Sequence, residues 1–86
     1  MISATTIGNR QLVYQITGFD RLNFVDDVAN AVPQDDQCRI TGLSFVVNGV
    51  RVDGQLTVWV QDDNRLASIY RQLSAIQGLV SIQQAD

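Results

Sequence analysis

Apolar and polar residues alternate strictly over the first patterned segment of the chain, from Gln11 to Thr17. A period of two places successive side chains on opposite faces of a β-strand, so this segment predicts a strand with one buried face. The inward residues are Leu12, Tyr14 and Ile16, and the outward residues are Val13, Gln15 and Thr17. Gly18 is expected to break the strand.

A helix is predicted immediately after this strand. Asn23 stands at the N-cap position, and Asp26 follows in the first turn, where an acidic side chain favours a helix. Apolar residues continue at helical spacing, and they are Phe24, Val25, Val28, Ala29 and Val32. The helix is expected to run from about Phe24 to Ala31, because Pro33 cannot continue it, and a polar loop follows.

A hairpin is the strongest local prediction. Cys38 to Val47 is rich in β-branched and aromatic residues, and Asn48-Gly49 is the dipeptide that best accepts positive φ at both centres of a type I′ turn. The next strand alternates again, and its apolar register holds Val50, Val52, Leu56, Val58 and Val60. Gly54 falls on the same register, where it marks either a bulge or a thin spot in the sheet.

A second helix is predicted by five apolar residues at the spacing of one helical face. They are Leu66, Ile69, Tyr70, Leu73 and Ile76. Gly78 is expected to end this helix, and Val80 and Ile82 then mark a short closing strand. The order β-α-β-β-α-β predicts an α+β fold of the ferredoxin-like type, in which two helices cover one face of a four-stranded antiparallel sheet.

The length of 86 residues leaves room for one domain only, which we place at residues 10–84. Residues 1–9 are expected to form an N-terminal extension, either flexible or continuing the first strand, and residues 85–86 a tail. A chain this short buries only about 60% of its unfolded surface, so its stability is expected to lean on a partner subunit. We therefore expect a homodimer.

Every charged side chain is an Arg or an Asp, because the sequence contains no Lys, Glu or His. The chain lacks the imidazole best suited to proton transfer near neutral pH and the amine of Schiff-base and phosphate-binding lysines. We therefore predict that it is not an enzyme, with no catalytic residues and no cofactor. The net charge of −3 disfavours autonomous nucleic-acid binding.

The single cysteine, Cys38, can form neither an internal disulfide nor, without histidines, a zinc site. This favours a reducing, cytoplasmic setting. No apolar stretch approaches the roughly 18 residues of a membrane span, so no membrane contact is expected. The aspartate pairs at positions 26–27, 35–36 and 62–63 match no EF-hand spacing. Capping and solubility explain them, and no metal site is predicted.

Trp59 lies on the outward register of the third strand, where an aromatic ring is typical of RNA-binding sheets. Its neighbours on that register are Arg51, Asp53, Gln55 and Thr57. These residues do not form the basic aromatic motif of such sheets. A protein contact or modest exposure is therefore the favoured interpretation of Trp59.

Several short motifs resemble the ACT domain. They are the segment from Ile16 to Arg21, followed by Phe24, Asp27 and Val28. More narrowly, Gly18-x-Asp20-Arg21, residues 53–62 and the stretch from Leu73 to Ile82 resemble the C-terminal ACT domain of RelA/SpoT-type (p)ppGpp synthetase/hydrolases. The resemblance covers residues 10–84. It implies a regulatory module without catalytic activity, which either stands alone or forms the regulatory end of a stringent-response protein.

ACT domains usually pair side by side, and many bind an amino acid or another small ligand at the dimer interface, so the resemblance implies both properties here. By position, the ligand site would comprise Gly18, Phe19, Asp20, Arg21, Leu22 and Asn23. The family often has a glycine just before the first helix, whereas Leu22-Asn23 stands here, so Asn23 either lines the site or simply caps the helix. Asp20 and Arg21 either orient a ligand or form a local ion pair.

Two other functions remain open from the sequence. One is an interaction domain that docks a parent enzyme or the ribosome through its sheet face, with Trp59 as the contact residue and no small ligand. The other is a minimal enzyme of the acylphosphatase type, which needs an Arg and an Asn in an anion-binding loop. The segment from Gly18 to Asn23 contains both residue types.

Overall fold

The computed structural model of the chain describes residues 10–61 and 65–85. Its elements are β1 Arg10–Phe19, α1 Phe24–Asn30, β2 Cys38–Asn48, β3 Arg51–Val60, α2 Leu66–Ser74 and β4 Leu79–Ala85. The predicted order is confirmed, and each element lies close to its predicted position. The N-terminal extension at 1–9, the aspartates at 62–63 and residue 86 lie outside the described residues, whereas residue 85, assigned to the tail, belongs to β4.

The four strands form one antiparallel sheet in the order β2-β3-β1-β4, so β1 and β3 are central and β2 and β4 are the edges. β1 pairs with β3 along its whole length, from Arg10 opposite Val60 to Phe19 opposite Arg51. The strands and both helices share a single core. The predicted ferredoxin-like fold is therefore confirmed.

The core lies between the sheet and the helices, and its buried side chains are hydrophobic. No polar or charged side chain is buried among the described residues. The buried set is Leu12, Tyr14, Ile16, Phe24, Val28, Val32, Cys38, Val52, Leu56, Val58, Val60, Ile69 and Leu73. The alternation in the sequence thus correctly identified the inward faces of β1 and β3.

Two glycines in the central strands leave space for two phenyl rings. A Cβ atom on Gly18 of β1 would overlap the ring of Phe24, and a Cβ atom on Gly54 of β3 would overlap the ring of Phe45. The two rings meet edge to face with their centroids 6.2 Å apart, an arrangement that aromatic pairs favour. The rings thereby fill the volume that side chains at these two positions would otherwise occupy.

The expectation that Gly18 breaks the first strand was wrong, since β1 continues to Phe19. Glycine weakens a strand when nothing replaces its side chain, but here the ring of Phe24 covers it from the helix side. Gly54 is the thin spot that the sequence predicted, and the pairing of β3 runs through it without a bulge.

Two irregularities elsewhere decide which side chains face the helices. The β2–β3 pairing shifts at Thr41, the extra residue between Ile40 and Gly42. A one-residue shift moves every later side chain to the opposite face. The β2 residues that face the helix side after the shift are Leu43, Phe45 and Val47. A second shift, in the β1–β4 pair, leaves Val80 as an extra residue that is half exposed.

The turn between β2 and β3 lies one residue later than predicted. Asn48 pairs with Arg51 inside the ladder, so Gly49 and Val50 form the two-residue turn. Only Gly49 has a positive φ, of 68°, whereas a type I′ turn requires positive φ at both centres. Val50 is β-branched and resists positive φ. Its side chain is exposed, which corrects its assignment to the inward register.

The second helix differs from its prediction in one core residue and in its C-terminal end. Ile69 and Leu73 are buried, but Tyr70 is 48% exposed because it lies on the flank of α2 rather than on the core-facing side. α2 ends at Ser74 with Ala75 as its C-cap, so the prediction that Gly78 ends the helix was wrong. Gly78 instead takes a φ of 91° in the turn that leads into β4, a conformation that glycine adopts without strain.

Replacing Gly54 with Ala is expected to destabilise the fold by about 1–3 kcal/mol, the usual cost of overpacking. The added Cβ would meet the ring of Phe45 and lie 2.6 Å from the backbone oxygen of Ser44, which cannot move away easily. Gly42→Ala is the matched control, because its Cβ would lie 3.3 Å from the side chain of Thr57. Urea unfolding of both variants tests this, and equal stability would contradict the described packing.

A second prediction concerns alkaline pH. Burial raises the pKa of the Tyr14 phenol and the pKa of the Cys38 thiol. When folding raises the pKa of a group, the folded state is favoured fully at any pH below the pKa of that group in the unfolded chain. This stability is lost as pH rises from the unfolded-state pKa through the folded-state pKa, because the unfolded chain then releases the proton more readily. The free energy of unfolding should therefore fall above about pH 8.5, the ordinary pKa of a thiol, and again above about pH 10, that of a phenol.

The variant that combines Tyr14→Phe with Cys38→Ala should flatten this alkaline decline, because neither replacement ionises. Urea unfolding from neutral to alkaline pH measures the slope for both proteins. Tyr70→Phe is the control, since Tyr70 lies on the surface and should leave the slope as it is. An equally steep decline in the double variant would show that other groups cause it.

Candidate functional site

The loop between β1 and α1 contains most of the predicted ligand residues, and backbone hydrogen bonds attach it to the turns on either side of it. The N–H of Phe19 donates to the carbonyl of Gly78 at 2.9 Å, and the N–H of Asp20 donates to the carbonyl of Val50 at 2.8 Å. The loop is thus bonded to the turn before β4 and to the β2–β3 turn. These bonds place it between the two neighbouring turns of the sheet.

Arg21 organises the inside of this loop. Its Nε donates to the carbonyl of Gln77 at 2.7 Å, its Nη1 to the carbonyl of Leu22 at 2.8 Å, and its Nη2 to Asp27 Oδ2 at 2.6 Å. The guanidinium carbon also lies 5.7 Å from the centre of the Phe24 ring. Such a planar donor fork suits several fixed acceptors at once. Arg21 therefore connects the loop with α1 and with the turn that follows α2.

This geometry settles the partner of the predicted ion pair. Arg21 pairs with Asp27, six residues along the chain, and not with the adjacent Asp20. The guanidinium uses three of its five N–H donors in these bonds, one on each nitrogen, so Arg21 holds the loop to its neighbours in this structure.

Asn23 precedes α1 in the left-handed conformation, with a φ of 68°. It is the N-cap residue, as predicted, and its carbonyl accepts a hydrogen bond of 2.9 Å from the N–H of Asp27, but its side chain makes no capping hydrogen bond to any described residue. Asn tolerates this conformation better than most non-glycine residues. Asn23 therefore supplies the backbone shape that a glycine commonly provides before the first helix, while its side chain still occupies space there.

The six predicted site residues divide into two groups. Gly18 lies buried beneath Phe24, and Arg21 is bound within the loop. Both residues therefore hold the loop in place beneath its exposed surface. The other four lie on the surface, where a ligand can reach them: Phe19, Asp20, Leu22 and Asn23. Leu22 is 85% exposed, an unusual position for a leucine side chain.

Exposed apolar side chains lie on this loop, on α1 and on the helix side of the edge strand β2, and we call them together the β2-side patch. It comprises Leu22, Val25, Leu43 and Val47, each of which is exposed. Val25 belongs here because the opposite flank of α1, at Asp27, lines a cleft of about 330 Å³ against α2. Phe45 lies beneath the patch, in contact with Phe24.

Sequence analysis did not identify this patch. The alternation of β2 alone could not place Leu43 and Val47 on the helix side, because that assignment depends on the extra residue at Thr41. A signal was nevertheless present, since both residues alternate with Gly42 and Ser44, which fit an outward face. A period-two pattern that restarts one residue late is what a bulge produces.

Trp59 lies on the outward face of β3, as predicted, between Gln11 of β1 and Arg39 of β2. The guanidinium carbon of Arg39 lies 5.0 Å from the centre of its ring, within cation–π range. The ring is partly covered by this contact and otherwise open to solvent. The structure therefore places Trp59 far from the β1–α1 loop, at the other end of the sheet.

A second ion pair joins Arg65 to Asp35 at 3.0 Å, near the start of β2. The backbone N–H of Gln37, and then Arg65, lower the pKa of Asp35. Within residues 10–61 and 65–85, no three side chains of His, Cys, Asp or Glu gather in a way that would hold a metal ion. Across the same residues, no helix is long and apolar enough to cross a membrane.

Comparisons with known proteins agree with this geometry. A protein-family model of the ACT domain matches residues 8–83. Among solved structures, the chain is similar to the crystal structure of the ACT domain from GTP pyrophosphokinase of Chlorobium tepidum, with a TM-score of 0.75 and 14% identity, over 90% of this chain and 99% of that one. A search of curated proteins finds no match.

The solution NMR structure of the same Chlorobium tepidum domain is also similar, with a TM-score of 0.73 and 14% identity, over 91% of this chain and 88% of that one. At this identity the structures establish the fold, whereas the family model covers nearly the whole chain and establishes the relationship. The resemblance seen in the motifs around Gly18 and Arg21 is confirmed. The chain belongs to the ACT domain family.

Proposed function

We propose that this chain is a homodimeric regulatory module of a RelA/SpoT-type protein and that it senses an amino acid at its dimer interface. The family assignment supports a regulatory, non-catalytic role. The similarity to ACT domains taken from a GTP pyrophosphokinase supports this kind of parent protein. The buried free thiol of Cys38 is compatible with the reducing cytoplasm in which such a protein would act.

The observation that carries the proposal is the exposed β2-side patch beside the predicted ligand loop. In the described part of the chain, β2 has a paired strand on one side only. The first residues of its other side are occupied, since Cys38 bridges to Asp35 and the N–H of Ile40 donates to Gln34 Oε1 at 3.3 Å. From Thr41 onward that side has no strand neighbour among the described residues. Proteins usually protect such an edge with charged residues or proline. Between Thr41 and Asn48, however, β2 carries no charge and no proline.

Pairing of two β2 edges would satisfy the backbone groups of that side from Thr41 onward and cover the patch in a single step. An isologous dimer of this kind extends two four-stranded sheets into one of eight strands. Leu43 and Val47 would then pack against the partner, and Leu22 would carry the β1–α1 loop to the interface. Apolar burial of this kind is the main source of stability in most protein association.

A ligand at that interface would contact the exposed residues of the loop rather than Arg21. Leu22 and Phe19 offer apolar surface to the side chain of an amino acid, and Asp20 offers a carboxylate to its ammonium group. Because Arg21 already fixes the loop, little ordering would be needed when a ligand binds. The alternative is a dimer without a small ligand that docks a parent enzyme or the ribosome, and the partly exposed ring of Trp59 on the outward face of β3 is the observation in its favour.

The dimer interface is tested by Val47→Arg, which places a charge at the centre of the patch. Burying an unpaired charge is costly, so the dissociation constant should rise at least about tenfold and the mass of the assembly should halve. Tyr70→Arg is the matched control, since Tyr70 is similarly exposed on α2 but lies outside the patch. Sedimentation velocity measures both. An assembly of unchanged mass in Val47→Arg would contradict pairing through β2.

Ligand sensing is tested by thermal unfolding in the presence of each of the twenty amino acids. An amino acid that binds the folded dimer at about 100 times its dissociation constant adds about 2.7 kcal/mol, which raises Tm by several degrees in a domain of this size. Leu22→Asp should remove that increase, and Tyr70→Arg should preserve it. If no amino acid raises Tm while Val47→Arg still halves the assembly, the chain is a dimer without this sensing role.

A further inference from the structure

The face of the sheet opposite the helices, which we call the outer sheet face, is almost free of charge. In the described part of the chain the register places three charged side chains on it: Arg39, Arg51 and Asp53. Two of these are already engaged, since Arg39 stacks on Trp59 and Asp53 accepts a hydrogen bond of 2.9 Å from the Thr17 hydroxyl. The other charged residues within 10–61 and 65–85 lie on the helix layer, in loops or at strand ends.

A row of neutral polar side chains crosses the middle of this face. It runs through all four strands in register and consists of Ser44, Gln55, Gln15 and Gln83. All four residues are exposed. The neighbouring row contains Gly42, Thr57, Val13 and Ala85, which are small or apolar and add no charge. The centre of the face can therefore donate and accept hydrogen bonds without a net charge.

Larger apolar side chains flank this centre at both ends. Trp59 lies at one end. Phe19 and Val46 lie at the other, 52% and 68% exposed. Depletion of charge in the centre, with aromatic residues and arginine beside it, is the composition that distinguishes protein interfaces from ordinary surface. A solvated sheet face of the same fold would need none of these exposed rings.

We propose that the outer sheet face binds the outer sheet face of a second copy of this chain. The central amides are self-complementary, because each glutamine both donates and accepts, so two identical rows can bond to each other across a two-fold axis. A basic patch would favour nucleic acid and an acidic patch a basic partner, but this face offers neither. The partner that best matches this neutral, hydrogen-bonding surface is therefore the same surface of a second copy.

The area of the face is adequate for such a contact. β1, β2 and β3 each extend about 30 Å from the level of Gln11 to that of Phe19, and β4, which is shorter, extends about 23 Å. At a strand spacing of about 4.8 Å these lengths give roughly 540 Å² per copy. Two copies would bury roughly 1,100 Å², which exceeds the roughly 1,000 Å² that separates specific interfaces from incidental contacts. Two sheets that pack face to face in this way form a sandwich with strands aligned within about 30°.

This contact uses a different surface from the β2 edge and does not depend on it. If both contacts form, they generate a tetramer in which two eight-stranded sheets pack against each other. The wild-type chain is therefore expected to sediment as a tetramer. Gln15→Arg should reduce it to a dimer, because Gln15 lies in the central row on a central strand and two like charges would meet across the axis.

We expect Gln15→Arg to raise the dissociation constant of the face contact at least about 30-fold. Gln72→Arg is the matched control, since Gln72 is equally exposed but lies on α2, away from the face. An equimolar mixture of Gln15→Arg and Gln15→Glu chains should recover the tetramer, because opposite charges then face each other. Circular dichroism and thermal unfolding establish that each variant is folded.

The outcomes separate this proposal from the β2 dimer. A chain that carries both Val47→Arg and Gln15→Arg should be a monomer. If the wild type is a dimer that Val47→Arg splits and Gln15→Arg leaves intact, the outer sheet face does not bind a second copy and the proposal is overturned, although the β2 dimer stands. If the tetramer persists in Gln15→Arg, or the charge-swapped mixture stays dimeric, the proposal is also overturned.

Discussion

The packing of two phenyl rings onto two glycines is the constraint on which the rest of this structure depends. Phe24 occupies the space above Gly18, and Phe45 occupies the space above Gly54. Because the rings also contact each other, α1, β1, β2 and β3 are fixed relative to one another by one small cluster. The ring of Phe24 could not keep its position if Gly18 carried a side chain, nor could the ring of Phe45 if Gly54 did, so both strand positions favour glycine for steric reasons and not for an unusual φ.

The same cluster determines where the candidate site lies. Phe24 is the first residue of α1 and also faces the guanidinium of Arg21, so fixing the ring fixes the end of the β1–α1 loop. Arg21 then bonds the loop to the carbonyl of Gln77 beyond α2. The loop is therefore rigidly attached to its surroundings on the inside, and what remains free is its outer surface. A ligand that binds as proposed would therefore contact Leu22 and its exposed neighbours, and the fold would not need to reorganise.

Strict alternation and helical spacing were sufficient to predict the element order, because both depend on local sequence and on one common core. The errors arose where a residue's environment comes from a distant segment. Gly18 looks like a strand breaker until the ring of Phe24 is placed over it. The side chains after Thr41 change face because of pairing with β3. The site was located only through family resemblance, and its division into supporting and exposed residues required the hydrogen bonds of Arg21.

Two residues of the loop would connect the proposed ligand binding with the proposed assembly. Leu22 belongs both to the loop and to the β2-side patch, and Phe19 belongs both to the loop and to the outer sheet face. A ligand that contacts either residue necessarily changes the surface available to a second copy. If the ligand strengthens assembly, thermodynamic linkage requires that assembly strengthens ligand binding by the same free energy. If both proposals hold, the module would transmit a signal through its oligomeric state without a large internal movement.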